Sequence, residues 1–369
     1  MNFTVTEEQE ELIELVRAVL AQRSDDRAMR AALESDAGYD TELWRLLCTE
    51  IGAASLAIPE EAGGAGFSTF ETHLVLEELG RGLTPSPYLG SVAITAQAIL
   101  ATHDDEAAAR LLPGLAEGTS IGALGWAAPD GRWDPERVAV TATPGEPWRV
   151  TGRVPLVLEG ATADVLVVIA KTPDGARLFE LLEPDAVRRD VTPAMDPGLR
   201  VATLHLEDVA ARPLGDGAPD VLPLVLDHAL TAVSALQSGT AARALASTLA
   251  YVGQRVQFGR PIGSFQAVKH RLADLHVRVE TAATTTRAAA RAVADGSAER
   301  TSLARLAKAW CSETLDQVAA EMIQLHGGIA ITWEHDAHLV FKRAHALGQL
   351  FGTAAEQRAR AADWALQPA

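Results

Sequence analysis

Arg255-Val-Gln-Phe-Gly-Arg-Pro-Ile-Gly-Ser-Phe-Gln266, with the run Ala267-Val-Lys-His-Arg-Leu-Ala-Asp-Leu-His-Val-Arg-Val-Glu280 behind it, sets the frame for the rest of the chain. A long apolar helical pattern approaches this stretch and ends at Gly259, whose missing Cβ lets the chain turn. Pro261 and Gly263 hold the turn, and Ser264 reads as the N-cap of the next helix. Arg255 and Gln257 then stand near one helix end, beside the open amides of the helix that follows. A guanidinium, a side-chain amide and a free helix N-terminus suit an anion such as a pyrophosphate. The same spelling also suits a capped helical hairpin with surface charges, and spacing alone does not separate the two.

The wording of three stretches adds to this. Arg255-x-x-Phe258-Gly259 with Ile262-Gly-x-Phe-Gln266, the block Gln324-Leu-His-Gly-Gly-Ile-Ala-Ile-Thr-Trp-Glu334, and the loop Ala57-Ile-Pro-Glu-Glu-Ala-Gly-Gly-Ala-Gly66 resemble motifs of the acyl-CoA dehydrogenase family. Together they span nearly the whole chain. The resemblance implies an α+β fold: an N-terminal helical domain (1–118), a central antiparallel β domain (119–214) and a C-terminal four-helix bundle (215–369). It implies FAD as cofactor, an acyl-CoA thioester as substrate and an electron-transfer flavoprotein as electron acceptor.

Composition and periodicity lead to the same layout. The chain has 369 residues, enough for two or three layers around a sizeable core. A net charge of -17 with no concentrated basic stripe argues against a nucleic-acid surface. Lys269-His-Arg271 is the denser basic segment, expected to pair with nearby acids or a cofactor phosphate. Cys48 and Cys311 lie far apart in helical patterns and read as reduced core thiols. The N-terminal Met1-Asn-Phe-Thr-Val-Thr-Glu-Glu-Gln lacks the features of an export signal, and no run reads as long and apolar enough for a bilayer, so a soluble cytoplasmic protein is expected, with no metal site.

Residues 1 to 118 read as helical, with a capping-box spelling at Thr6-Glu-Glu-Gln9 and apolar spacing at Leu12, Ile13, Leu15, Val16, Val19 and Leu20. From 119 to 214 the period becomes alternating, with strand candidates at 138–143, 148–151, 165–169, 178–182 and 201–206. Long helices are expected near 222–253, 265–294 and 299–325, the last ended by Gly327-Gly328, with shorter ones near 335–350 and 354–365.

The family's reaction removes an acidic α-proton by a carboxylate and a hydride from the β-carbon. That base must be desolvated, because a solvated Glu is too weak for a thioester α-proton. Many relatives place the Glu before a Gly-Thr pair; the matching run here is Leu350-Phe351-Gly352-Thr353, so the base position carries Phe. Other relatives place it roughly seven helical turns before the hairpin Arg. Counting back from Arg255 reaches Ala229, beside Asp227 and His228, with no Glu. Asp227 reads as a solvated side chain and His228 as a satisfied one. Glu334 reads as a structural acid paired with a basic neighbour, and Glu356 as solvated.

The flavin-ring wall departs too. The family's Thr-Glu-Pro run corresponds to Gly125-Trp-Ala-Ala-Pro-Asp130, and its Trp-Ile-Thr-Asn-Gly run to Leu156-Val-Leu-Glu-Gly160. In the family the adenine and pyrophosphate half of FAD is held by the partner subunit. The residues matching that half survive here: Arg255, Gln257, Phe258, Gln266, Gln324, Leu325, Gly327, Gly328 and Thr353. The chain's own ring-and-base half is eroded at Ala127, Ala128, Leu156, Leu158 and Phe351. The leading expectation is a chain resembling the base-lacking subunit of heteromeric actinobacterial acyl-CoA dehydrogenases, partnered by a homologous base-bearing chain. A self-sufficient homo-oligomer using Asp227 and a non-redox scaffold stand as alternatives. In the simplest packing reading the surviving motifs only pack a tetramer core, with Gly327-Gly328 permitting close helix approach there.

Overall fold

The computed structural model describes residues 4–134, 137–217 and 221–365; Met1–Phe3, part of the N-terminal stretch read above, lies outside them. Helix α1 (Glu7–Arg23) starts at the expected capping box: Thr6 accepts from the Gln9 amide at 3.3 Å and its own amide donates to Gln9 Oε1 at 3.0 Å. Val16 and Leu20 turn inward, whereas Leu15 is half exposed. After α2 (Asp26–Glu34) and α3 (Thr41–Thr49) comes the glycine loop. There a Cβ on Gly64 would lie 1.9 Å from the Ile58 carbonyl oxygen, so the backbone approach itself demands glycine. Helix α4 (Thr69–Gly82), a π-helical stretch (Leu89–Ala96), α5 (Gln97–Ala101) and α6 (Asp105–Glu117) follow.

The strands are β1 (Gly122–Gly125), β2 (Thr141–Thr143), β3 (Trp148–Leu158), β4 (Val165–Thr172), β5 (Gly175–Leu181), β6 (Arg188–Thr192) and β7 (Val201–Leu214), all in one sheet. The pairings are antiparallel except β1 on β4 and a single residue pair of β2 on β4. Two strands fall outside the expected set. β1 is buried at all four positions and shows no alternation; β6 is a polar run with no buried residue, so neither has a period-2 signature.

Helix α7 (Val221–Gln254) leads to a short hairpin, β8 (Val256–Gln257) and β9 (Arg260–Pro261). Then come α8 (Gln266–Ala294), α9 (Arg300–His326), α10 (Ala337–Gln349) and α11 (Ala354–Ala365), with α8, α10 and α11 all packed on α9. α7 does meet the length and hydropathy of a membrane span, contrary to the sequence reading; 78% of its apolar window is buried within the fold. Cys48 and Cys311 are free and buried.

Proximity divides the chain into two compact units. One joins residues up to Arg30, His73–Thr84 and the chain from Leu230 onward; the other joins Ala31–Thr72 with Pro85–Ala229. In the first, α4 and α7 cross backbone to backbone. A Cβ on Gly239 would lie 1.8 Å from the Glu77 carbonyl oxygen, one on Gly80 2.3 Å from that of Leu236, and Thr240 donates to the Gly80 carbonyl at 3.1 Å. The second is centred on the sheet, with Val150, Leu166, Phe179 and Leu204 shut off from solvent.

Candidate functional site

α7 ends at Gln254, within a residue of the expected 222–253, and the chain reaches Gly259 through a hairpin in which Val256–Gln257 pairs with Arg260–Pro261. The two turn residues, Phe258 (φ 53°) and Gly259 (φ 77°), are both left-handed, as a tight two-residue hairpin of matching twist requires. The Ile262 amide donates to the Arg255 carbonyl at 2.8 Å and closes the hairpin. Arg260 lies 4.0 Å over the Phe265 ring, which meets Phe258 edge-on at 6.1 Å. Phe258 is nonetheless 93% exposed.

Ser264 is not the N-cap of α8. It sits in a 3₁₀ turn (Ile262–Ser264) and donates its hydroxyl to the Pro261 carbonyl at 2.7 Å. The cap is Phe265, whose side chain has no oxygen; its carbonyl takes the Val268 and Lys269 amides at 3.0 Å each, and with no side-chain cap the first two amides of α8, at Gln266 and Ala267, stay open to an acceptor from outside. Arg255, Gln257 and Gln266 are all exposed beside it. Arg271, in the basic segment, pairs with Glu321 at 3.3 Å.

The second motif lies at the end of α9. Gln324 is exposed, Leu325 half-buried, and Gly327 (φ 64°) stops the helix. A Cβ at Gly327, Gly328 or Gly259 would meet nothing within 4 Å. These glycines therefore do not serve an approach between helices of this chain; they keep backbone bare toward open space. Arg30 pairs with Asp336 at 2.7 Å, and the exposed Glu334 has Thr332 as its first partner, so the ion pair expected at Glu334 forms two residues later.

FAD can be tried against this chemistry. Its adenine and pyrophosphate half asks for cationic and amide donors beside bare backbone, and Arg255, Gln257, Gln324, Gly327 and Gly328 supply that set. The ring half asks for polar donors and finds none at the matched positions: Ala127, Ala128 and Leu158 are buried hydrocarbon, and Leu156 occupies a left-handed position (φ 54°) at a register shift in β3. Among the described residues no cluster of three His, Cys, Asp or Glu could hold a metal.

Phe351, at the position matched to the family's Glu, offers no group that can take a proton. Phe351 (φ 58°) is 3% exposed on a turn fixed from two sides. Lys308, fully buried in α9, donates to the Gly348 and Gly352 carbonyls at 3.2 Å each and to Ser312 Oγ at 2.9 Å, while Gln357 Nε2 donates to the Phe351 carbonyl at 2.7 Å. Burial holds the Lys308 ammonium down to about 7. Thr353 and Glu356 form a capping box at the start of α11, so the Thr353 hydroxyl is already engaged, and Glu356 is exposed as expected.

Asp227 is 1% exposed, which overturns its reading as a solvated side chain; His228 beside it is 7% exposed. α7 is enclosed on most of its faces, so a polar residue in it is not thereby on a surface. Sequence reasoning also missed Glu159. It is buried on the run that matches the ring wall, with its amide donating to the Arg200 carbonyl at 2.8 Å, and desolvation pushes its carboxyl up to about 8 against the opposing charge of Arg200.

Family models for acyl-CoA dehydrogenase match residues 6–119 (N-terminal domain) and 215–366 (C-terminal domain). Acyl-CoA dehydrogenase IpdE2 of Mycobacterium tuberculosis is 42% identical over 349 residues, 94% of either chain. IpdE2 of Mycolicibacterium smegmatis is 40% identical over 358 residues, 96% of this chain and 98% of that one. Among solved structures, the ChsE4-ChsE5 complex from Mycobacterium tuberculosis superposes with a TM-score of 0.91 at 31% identity, covering 100% of both chains. The Tcur3481-Tcur3483 steroid ACAD does so with a TM-score of 0.88 at 33% identity over 97% of each.

Proposed function

This chain belongs to the acyl-CoA dehydrogenase family of FAD-dependent oxidoreductases, and from that premise we propose that it is the clamp-bearing subunit of a two-chain acyl-CoA dehydrogenase. The observation that carries this is the contrast between Phe351, a hydrocarbon buried on a pinned turn where the base belongs, and Arg255, Gln257, Gln324, Gly327 and Gly328, which face open space. Arg255 offsets the pyrophosphate charge, Gln257, Gln266 and Gln324 donate or accept at its rim, and the two glycines let the ligand approach the backbone. Phe258 offers an apolar face beside them; Leu325 and Thr353 support the helix ends. FAD held by these residues would supply the acceptor for the β-hydride. The α-proton goes to a carboxylate on a homologous partner chain, since this one carries none at Phe351. The names of the two structural relatives, a two-component complex and a steroid ACAD, support a heteromeric assembly acting on a steroid-derived acyl-CoA; a cytoplasmic setting and an electron-transfer flavoprotein as acceptor complete the proposal.

Purified alone, the chain should carry little flavin and oxidise no acyl-CoA; co-expressed with a base-bearing homologue, it should yield a yellow, active complex. In that complex Arg255→Ala should weaken FAD retention about 10- to 100-fold while leaving this chain's unfolding transition in place. Full activity of the isolated chain overturns the proposal. The burial of Asp227 favours one other reading, a self-sufficient enzyme with Asp227 as a desolvated base. Under that reading Asp227→Asn abolishes turnover of the isolated chain without loss of flavin.

A further inference from the structure

Three rings link the two motifs of the clamp. Tyr251, near the end of α7, stacks on His326 at 4.3 Å and 26°; His326, the last residue of α9, meets His335 at 4.4 Å. Each ring is tied to its neighbourhood by the backbone. The Tyr251 carbonyl accepts the Arg255 amide at 2.9 Å, and the Tyr251 hydroxyl donates to the His326 carbonyl at 3.3 Å. His326 immediately precedes Gly327. The Ala337 amide donates to His335 Nδ1 at 3.0 Å, and the adjacent Asp336 is held by Arg30 and by Arg243 (2.6 Å).

We propose that Tyr251, His326 and His335 form a positioning column that sets the Arg255–Arg260 hairpin and the Gly327–Gly328 turn at a fixed spacing. Treating hairpin and turn as parts of one grip rests on the function proposed above; the column itself is tested without flavin. The motifs need such a link because each projects from the fold on exposed backbone, and a two-point contact with a rigid ligand fails when its points drift independently. One ring pair is stacked and the other tilted at 54°, both with centroids within 4.4 Å, which suits them to transmit position and not merely to fill space.

The column also carries a proton requirement. His326 is 3% exposed and its Nδ1–H donates to the Met322 carbonyl at 2.8 Å, leaving Nε2 without a hydrogen-bond partner among the described residues. A second proton would sit on Nε2 with no acceptor, against His335 on one side and Tyr251 on the other. Burial, with His335 as a minor contributor, already holds the His326 imidazole below its ordinary range. The charged and titratable groups beside the stack include Arg30, Arg243, Asp336 and Asp26, which neutralise one another, and His338, which interacts with His335. Because the folded form disfavours the charged ring, the column loosens as pH falls below about 6.5.

The test is amide hydrogen exchange on the intact chain, read by mass spectrometry at about pH 7.5 and about pH 5.5 with times scaled for intrinsic rates. His326→Ala should speed exchange about tenfold in both residues 251–262 and 327–336, whereas His326→Phe should preserve protection in both and abolish the acid loosening seen in the wild type. Loosening confined to 327–336 in the Ala variant overturns the column, as does a Phe variant that behaves like Ala. Acid loosening that persists in the Phe variant overturns the role of the imidazole. If His326→Ala does not fold, Tyr251→Leu tests the link from its other end: loosening at 327–336 supports it, and loosening only at 251–262 overturns it. A failure to bind flavin with a partner would remove the proposed function and leave these outcomes readable.

Discussion

Gly239→Ala is expected to destabilise the protein by at least about 3 kcal/mol, enough to leave little folded material. In most helix interiors the same change stabilises, because alanine is the better helix former by about 1 kcal/mol. Here sterics decide the sign: the new Cβ would lie 1.8 Å from the Glu77 carbonyl oxygen and 2.8 Å from the Arg81 amide nitrogen. Those are main-chain atoms and cannot rotate away, so α4 and α7 must separate and the bond from Thr240 to the Gly80 carbonyl goes with them. Gly253→Ala in the same helix is the control, since its Cβ meets nothing within 4 Å; it should gain about 0.5 kcal/mol. Denaturant unfolding of both variants checks this. Equal, small effects would show that the two helices slide apart at no cost.

Glu159→Gln should raise stability by about 2 kcal/mol at neutral pH. The folded carboxyl is pushed up to about 8 by burial, against an ordinary value of 4.5 in the unfolded chain. Between those values the unfolded chain has released a proton that the folded chain keeps, so stability falls as pH rises from about 5 to about 8. Glutamine removes that dependence while keeping the shape, less whatever its amide loses for want of partners. The gain should therefore be larger at about pH 8 than at about pH 5.5, measured by guanidinium unfolding. A gain equal at both pH values, or a loss at the higher one, means that the carboxyl is not held neutral. A residue that costs the fold this much stands where function or assembly sets the sequence. Glu159 lies on the Leu156–Gly160 run matched to the lost ring wall.

Much of this could be read from residues alone. The long helices of the C-terminal half show in their period to within a residue or two, and the departure from the family's Glu is legible because Phe351 stands in a recognisable run. The failures share a cause. Asp227, read as solvated, is buried, and so are Glu159 and Lys308, to which the residues alone assigned no role; tertiary packing that no local pattern encodes encloses all three. Ser264 has the right chemistry for a cap, but its neighbours form a 3₁₀ turn that moves the helix start past it. The Tyr251–His326–His335 stack joins positions 75 and 9 apart in sequence, and nothing in the spelling of any one segment announces it.

Phe258 carries one more implication. A benzyl group held outward on a left-handed tip, 93% exposed, keeps nearly all of its ring in water. Any surface laid over that tip would remove the ring from solvent, a contribution on the order of 2 kcal/mol to the contact. The tip needs no rearrangement to offer it, because the hairpin already holds the ring outward.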